Sequence, residues 1–373
     1  MNNQELNSRS TETAESSGLH SRHAASKMDH GFFAGQSTRS LGYRGGPYGF
    51  AVIAFKMIWL ALAAGFLLIP GMVRAQQYSF QNIAFPGDTF TQLLSINDGD
   101  VIAGYHGQAI NQGFTLTLPS LTFTSENFPN STQTQVTGIN DAGVTSGFYI
   151  DAFGTNHGFL DNNGVFNSVD FPGTTFNQLL GLNNNGQAAG YFQDPSGLQH
   201  PYVLQPGGTF NLLSLPGGSS GQATDINDNG QVTGFYATAS GGDNGFLLSA
   251  GKLLTLAVPG AAITEALGLN NLGQVVGFFQ NTTSSNPQGF IYSGGVFTTV
   301  NDPGASQTTI NGINNFGQIV GFALVGDAPS TVGFVGSPIA VPEPSLLSLL
   351  ALGSTSLIGM CILRSRRSLR RLA

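Results

Sequence analysis

The feature that most constrains this chain is a period. Asparagines recur at Asn97, Asn140, Asn183, Asn227, Asn270 and Asn314, in steps of 43, 43, 44, 43 and 44 residues. A second marker keeps the same beat: Pro86, Pro129, Pro172, Pro216, Pro259 and Pro303, each followed by glycine except Pro129, which precedes Asn130. Two markers in phase make the middle of the chain a tandem array of one unit.

One unit, from Gly173 to Pro216, gives the local structure. A first strand runs over Thr175 to Leu182, then Asn183-Asn184-Asn185-Gly186 supplies a turn, and Gln187 to Phe192 returns. After a polar loop come Pro201 to Leu204, a Gly207-Gly208 turn and Phe210 to Leu215. Gly and Asn tolerate the positive φ that tight hairpins require. Four short strands at this period predict one propeller blade.

The ends of the array predict closure. The sixth unit runs through Ile310-Asn311-Gly312-Ile313, Gln318 to Phe322 and Gly333-Phe334-Val335, and stops before a fourth strand. The strand from Tyr78 to Phe85 has no blade of its own. Placing it in the last blade pairs two edges that would otherwise invite aggregation. The expected fold is all-β: a six-bladed β-propeller of four-stranded repeats, closed by the N-terminal strand, with a single C-terminal transmembrane helix. The alternative, an open solenoid, needs capping units, and none is recognisable.

Charge and cysteine content bound the function. Of 13 Lys and Arg, only Lys252 lies in the repeat region, against fifteen Asp and Glu there. Nucleic acid and anionic lipid surfaces are poor partners for such a domain, and acidic sugars fare no better. Cations, neutral glycans and proteins stay open. The single cysteine, Cys361, excludes a disulfide framework and a thiolate zinc site. A repeat domain of this length buries enough apolar surface without cross-links.

The flanks read as addresses. Residues 1–46 are polar and aperiodic, which predicts disorder or sequence upstream of the true start, at Met28 or Met57. Residues 47–75 predict a signal peptide: Lys56, the apolar run Met57 to Ile69, the Pro70-Gly71 breaker, and cleavage between Ala75 and Gln76. A retained membrane anchor is the competing reading. Residues 76–338 are the propeller and 339–373 the tail. Ser345 to Leu363 is long enough to span a bilayer, and the arginines beyond it hold the chain's end in the cytoplasm. The domain then faces outward.

That tail, with Pro342, Glu343 and Pro344, an apolar span, and Arg364, Arg366, Arg367, Arg370 and Arg371, resembles the PEP-CTERM sorting signal. The resemblance implies an exported protein of a Gram-negative-type cell. Its expected partners are the export machinery, an exosortase-like processing protease that cuts near the Pro-Glu-Pro motif, and the inner membrane before processing. Over most of 86–338 the units resemble extracellular HAF-type repeats, which read G-I-N-x-x-G-x-x-x-G-F with a later G-F-L. Gly158-Phe159-Leu160 and Gly245-Phe246-Leu247 match that element, whereas His200-Pro201-Tyr202 departs from it. The resemblance brings no catalytic residues.

Candidate chemistry is sparse. Asp225, Asn227 and Asn229, in Asp225-Ile226-Asn227-Asp228-Asn229-Gly230, alternate oxygen ligands as a calcium loop does, without its bidentate Glu. The sibling turn Leu269 to Gly273 keeps the shape with no carboxylate, which favours a structural turn. His157 and His200 occupy equivalent positions, but the other units carry Gln112, Asn244, Gln288 and Val332 there. No nucleophile elbow accompanies His106, His157 or His200. Asp170 and Asp302 are the carboxylates whose meeting in one cavity would signal a glycosidase. The expectation is an exported cell-surface or extracellular-matrix binding protein, not an enzyme, with a neutral glycan or protein ligand. The rivals are an extracellular polysaccharide hydrolase and a calcium-stabilised structural repeat.

Overall fold

The computed structural model describes residues 76–326 and 330–339. The predicted signal peptide through Ala75, the Pro342-Glu343-Pro344 motif, the apolar span and the arginine cluster lie outside the described residues. Among those described, no helix is long and apolar enough to cross a membrane.

The described chain is all-β and forms six four-stranded antiparallel sheets. Blades 1 to 5 cover residues 91–125, 133–169, 177–212, 221–256 and 261–299. Blade 6 takes three strands from residues 305–339, and its outer strand is Gln77–Ile83 from the other end of the chain. Gln77 pairs with Ile339 and Ile83 with Gly333. The fold is a closed six-bladed propeller whose first and last strands share one sheet, as the incomplete sixth unit requires. The outer strand of blade 3 is shorter than the expected Phe210 to Leu215: only Phe210–Leu212 pairs, because an outer strand has one neighbour and Leu212 is already exposed.

Two repeated glycines explain most of the sequence motif. The turn glycine, for example Gly143 at φ 76°, takes the left-handed conformation that closes the first hairpin. In blade 1 the same slot holds Asp100, with φ 60°. The glycine before Phe serves a different purpose. A Cβ on Gly234 would stand 2.0 Å from the Gln222 carbonyl oxygen and 2.8 Å from the Phe246 ring. Gly147 and Gly321 meet the same inner-strand carbonyl and the same ring, Phe159 and Phe334 respectively. These rings are fully buried. The motif is therefore a packing unit: a bare backbone on the second strand receives an aromatic from the third.

Every inner strand shifts register three residues before its asparagine, as between Val136 and Gly138 or Ala223 and Asp225. Such bulges bend a strand and sharpen its twist. Here they bring neighbouring inner strands close: a Cβ on Gly268 would touch the Gly312 Cα at 2.9 Å. Between blades the core is a series of seams, each filled from both sides. Ile83, Ile102, Leu116 and Val335, for instance, form one cluster at the junction of blades 6 and 1.

Candidate functional site

The six period-marking asparagines meet at one end of the central channel. Each Oδ1 accepts hydrogen bonds from the backbone N–H groups two and four residues later, as Asn97 does from Gly99 and Val101, which shapes its own turn. Each Nδ2 donates to the backbone carbonyl of the next asparagine around the ring, at 2.9 to 3.3 Å. The last bond, from Asn314 to Asn97, closes the circle. A second ring lies beside it. The backbone N–H of Asp98, Asp141, Asn184, Asp228, Asn271 and Asn315 each donates to the next member's side-chain oxygen at 2.8 or 2.9 Å. Buried amides engaged at both ends are a structural clamp.

The calcium candidates fall on this clamp. Asp225 accepts from the N–H groups of Ile226 and Leu269, both at 2.8 Å, and ties blade 4 to blade 5. Burial pushes its carboxyl up to about 7. Asn227 is a ring member, and the Asn229 amide donates to the Asn271 carbonyl. Asp225 and Asn227 line the small cavity of about 70 Å³ inside the rings, and Asn229 does not. In that second ring burial pushes the Asp228 carboxyl up, but hydrogen bonds from Asn184 and Asn271 outweigh it and hold it below its ordinary value. Among the described residues no group of three or more His, Cys, Asp or Glu could hold a metal.

The histidines do not meet either. His157 contacts Asp170 at 2.9 Å and Asp151 at 3.5 Å. His200 contacts Asp194 at 2.8 Å, and His106 contacts Asp88 at 3.0 Å. Each ring also stacks on an aromatic: His157 on Tyr149 and His200 on Phe192 of their own blades, and His106 on Phe85 in the link from blade 6 to blade 1. Each is thus the fastener of a local loop. Asp170 is engaged with His157, whereas Asp302 is buried in the junction of blades 5 and 6 with one carboxyl oxygen lacking a partner.

The larger opening is a groove of about 540 Å³ between blades 5 and 6. Asn315 lines both the groove and the ring cavity, so the groove runs outward from the centre. Its rim carries Leu272, Phe316 and Val296, which are 71, 67 and 61% exposed. Gln76, Gln274 and Thr298 add hydrogen-bonding groups, and no lining residue is charged. The sequence carries a signal for this groove outside the repeat motif. Leu272 and Phe316 stand two residues after their asparagines, where the other units have Gly99, Ala142, Asn185 and Asn229.

No protein family and no curated protein matches the sequence. Solved structures do resemble the fold. Putative TolB from Agrobacterium tumefaciens aligns over 61% of this chain and 89% of its own, with a TM-score of 0.50 and 10% identity. AofleA from Arthrobotrys oligospora aligns over 72% and 91%, at 0.48 and 10%. The SapL1 lectin, solved with alpha methyl fucoside, aligns over 70% and 98%, at 0.45 and 11%. At these identities the likeness is one of fold.

Proposed function

We propose that this protein is an exported binding propeller of the cell surface or extracellular matrix, and that the groove between blades 5 and 6 takes a neutral glycan or an uncharged protein segment. The observation that carries the reading is the groove's lining. On a repeat region with fifteen acidic residues and one lysine, the lining of this groove carries no charge and exposes three large apolar side chains. Exposed Phe316 and Leu272 beside amide donors suit a ligand with both an apolar face and hydroxyls or peptide groups.

Export rests on the apolar run before Gln76 and on the Pro-Glu-Pro tail with its arginines. In this proposal the precursor is held at the inner membrane by Ser345 to Leu363 until an exosortase-like protease cuts near Pro344. The role is binding, without catalysis. Glycoside hydrolysis needs two carboxylates facing one open cavity, and the groove lining contains none.

The test is binding of the purified protein to neutral polysaccharides and surface proteins from its own producer. Wild type is expected to bind at least one, and Phe316→Ala with Leu272→Ser to weaken that binding about tenfold or more, as loss of a buried aromatic anchor does. Equal binding by the double variant would remove the groove from the proposal. Binding to none would remove the binding function.

A further inference from the structure

The seam between blades 1 and 2 differs from the other five in one slot. Superposing the repeats puts Glu126, Thr145 and Asp161 where blade 1 has Ile83, Ile102 and Leu116 at its own inner junction, and where blade 4 has Leu213, Val232 and Leu248. Blade 5 has Leu256, Val275 and Tyr292 there. Hydrocarbon fills the slot in the siblings, and two carboxyls and a hydroxyl fill it here.

Hydrogen-bond accounting leaves one atom over. The Thr145 hydroxyl donates to Glu126 Oε1. Asp161 is 7% exposed, and its Oδ1 is buried with no partner. A buried carboxylate oxygen without a donor is costly. No Lys or Arg is near enough to supply one, since Lys252, on blade 4, is the single cation of either kind among the described residues. The neighbour that can become a donor is Glu126 itself, by keeping its proton.

We propose that Glu126 and Asp161 share one proton across the seam between blades 1 and 2, and that losing this proton above neutral pH weakens the seam. The protonated Glu126 donates to Asp161 Oδ1 through one oxygen while the other accepts from Thr145. Deprotonation leaves two like charges facing each other in a slot the rest of the molecule builds from hydrocarbon. Electrostatics agrees in direction. Burial pushes Glu126 up to about 7, the Thr145 hydrogen bond opposes this, and the Asp161 charge, the one charged group acting on it, adds to it. Burial also raises Asp161, against a hydrogen bond from the Gly164 N–H. Because the folded Glu126 holds its proton more tightly than the unfolded chain does, its contribution is fully present below about pH 4.5. It is lost as pH rises through about 7.

Melting curves of the full chain between pH 5 and pH 8.5 test this, alongside Glu126→Gln and the triple variant E126I/T145I/D161L, which copies the blade 1 slot. Glu126→Gln keeps a permanent donor toward Asp161 and an acceptor for Thr145. It is expected to match wild type at pH 5 and to melt about 5 °C higher at pH 8.5. The triple variant should gain at least as much at pH 8.5. A protonated-carboxylic-acid band in the wild-type minus Glu126→Gln infrared difference spectrum at pH 6, where the raised Asp225 and Glu265 carboxyls cancel, reads the proton directly. Parallel wild-type and Glu126→Gln curves across the pH range, or no such band, would overturn the shared proton even if the triple variant fails to fold.

Discussion

The inner rim and the outer seams of this propeller obey different rules. At the rim every blade contributes the same asparagine to a closed hydrogen-bonded ring. In the seams individual junctions depart from their siblings: one carries Glu126 and Asp161, another Glu265 beside Asp243, and a third opens into the groove beside Phe316. Closure of a ring demands identical geometry at every step, so the residues that close it are repeated. The seams only need to be filled, and that freedom lets individual junctions depart toward binding or titration.

The comparison breaks most decisively at a repeated packing position. Gly234→Ala forces a Cβ to within 2.0 Å of the Gln222 carbonyl oxygen, a backbone atom of the innermost strand that is paired with the strand carrying Gly234. The expected cost is about 4 kcal/mol or more, in the range reserved for severe core disruption. Gly143→Ala, where nothing lies within 4 Å and only a φ of 76° opposes the change, should cost about 1 kcal/mol. Urea unfolding of the two variants measures the gap. Equal losses would mean that turn conformation, not the packing of aromatic on glycine, fixes the motif.

The rim itself comes next. Asn183→Ala removes the acceptor for the N–H groups of Asn185 and Gln187 and the donor to the Asn227 carbonyl. With buried groups left unpaired, the expected loss is about 3 kcal/mol. Asn184→Ala, in the more exposed second ring, should lose less. If the two losses are equal in urea unfolding, the inner ring has no special standing as a clamp.

How much of this was legible follows the same division. The period, the Gly and Asn turns and the incomplete sixth unit announced a closed propeller because each is a local pattern repeated six times. The asparagines were readable as turn formers, but their bonds to the next blade span 43 or 44 residues, and no single unit contains both partners. Asp225 read as part of a structural turn with only a faint calcium-loop pattern, because its neighbours alternate oxygens. Its carboxylate is turned to the N–H of Leu269 in the next blade. Glu126 and Asp161 belong to no motif within their own unit. Only the columns of the aligned repeats, where the siblings carry Leu, Ile and Val, reveal that both are buried in one slot. Leu272 and Phe316 were visible in the same way, as apolar residues in a column of small and polar ones.

The finest test uses the seam between blades 4 and 5. At three other junctions the glutamine five residues before the ring asparagine donates to an amide of the preceding blade: Gln135 to Asn111, Gln178 to Asn156 and Gln222 to Gln199, at 2.7, 3.5 and 3.2 Å. Here the glutamine is replaced by Glu265 and its partner by Asp243. Burial, then the Asp243 charge, pushes Glu265 up to about 7. The sign follows from that direction. The folded state holds this proton more tightly than the unfolded chain, so the group's contribution is intact in acid and declines as pH climbs from about 4.5 through about 7. Glu265→Gln restores the sibling amide and removes the titration. It should leave stability unchanged at pH 4 and raise it by about 2 kcal/mol at pH 8. A gain of equal size at both pH values would assign the effect to better hydrogen bonding alone. Such a result would return this seam to the same rule as the rim.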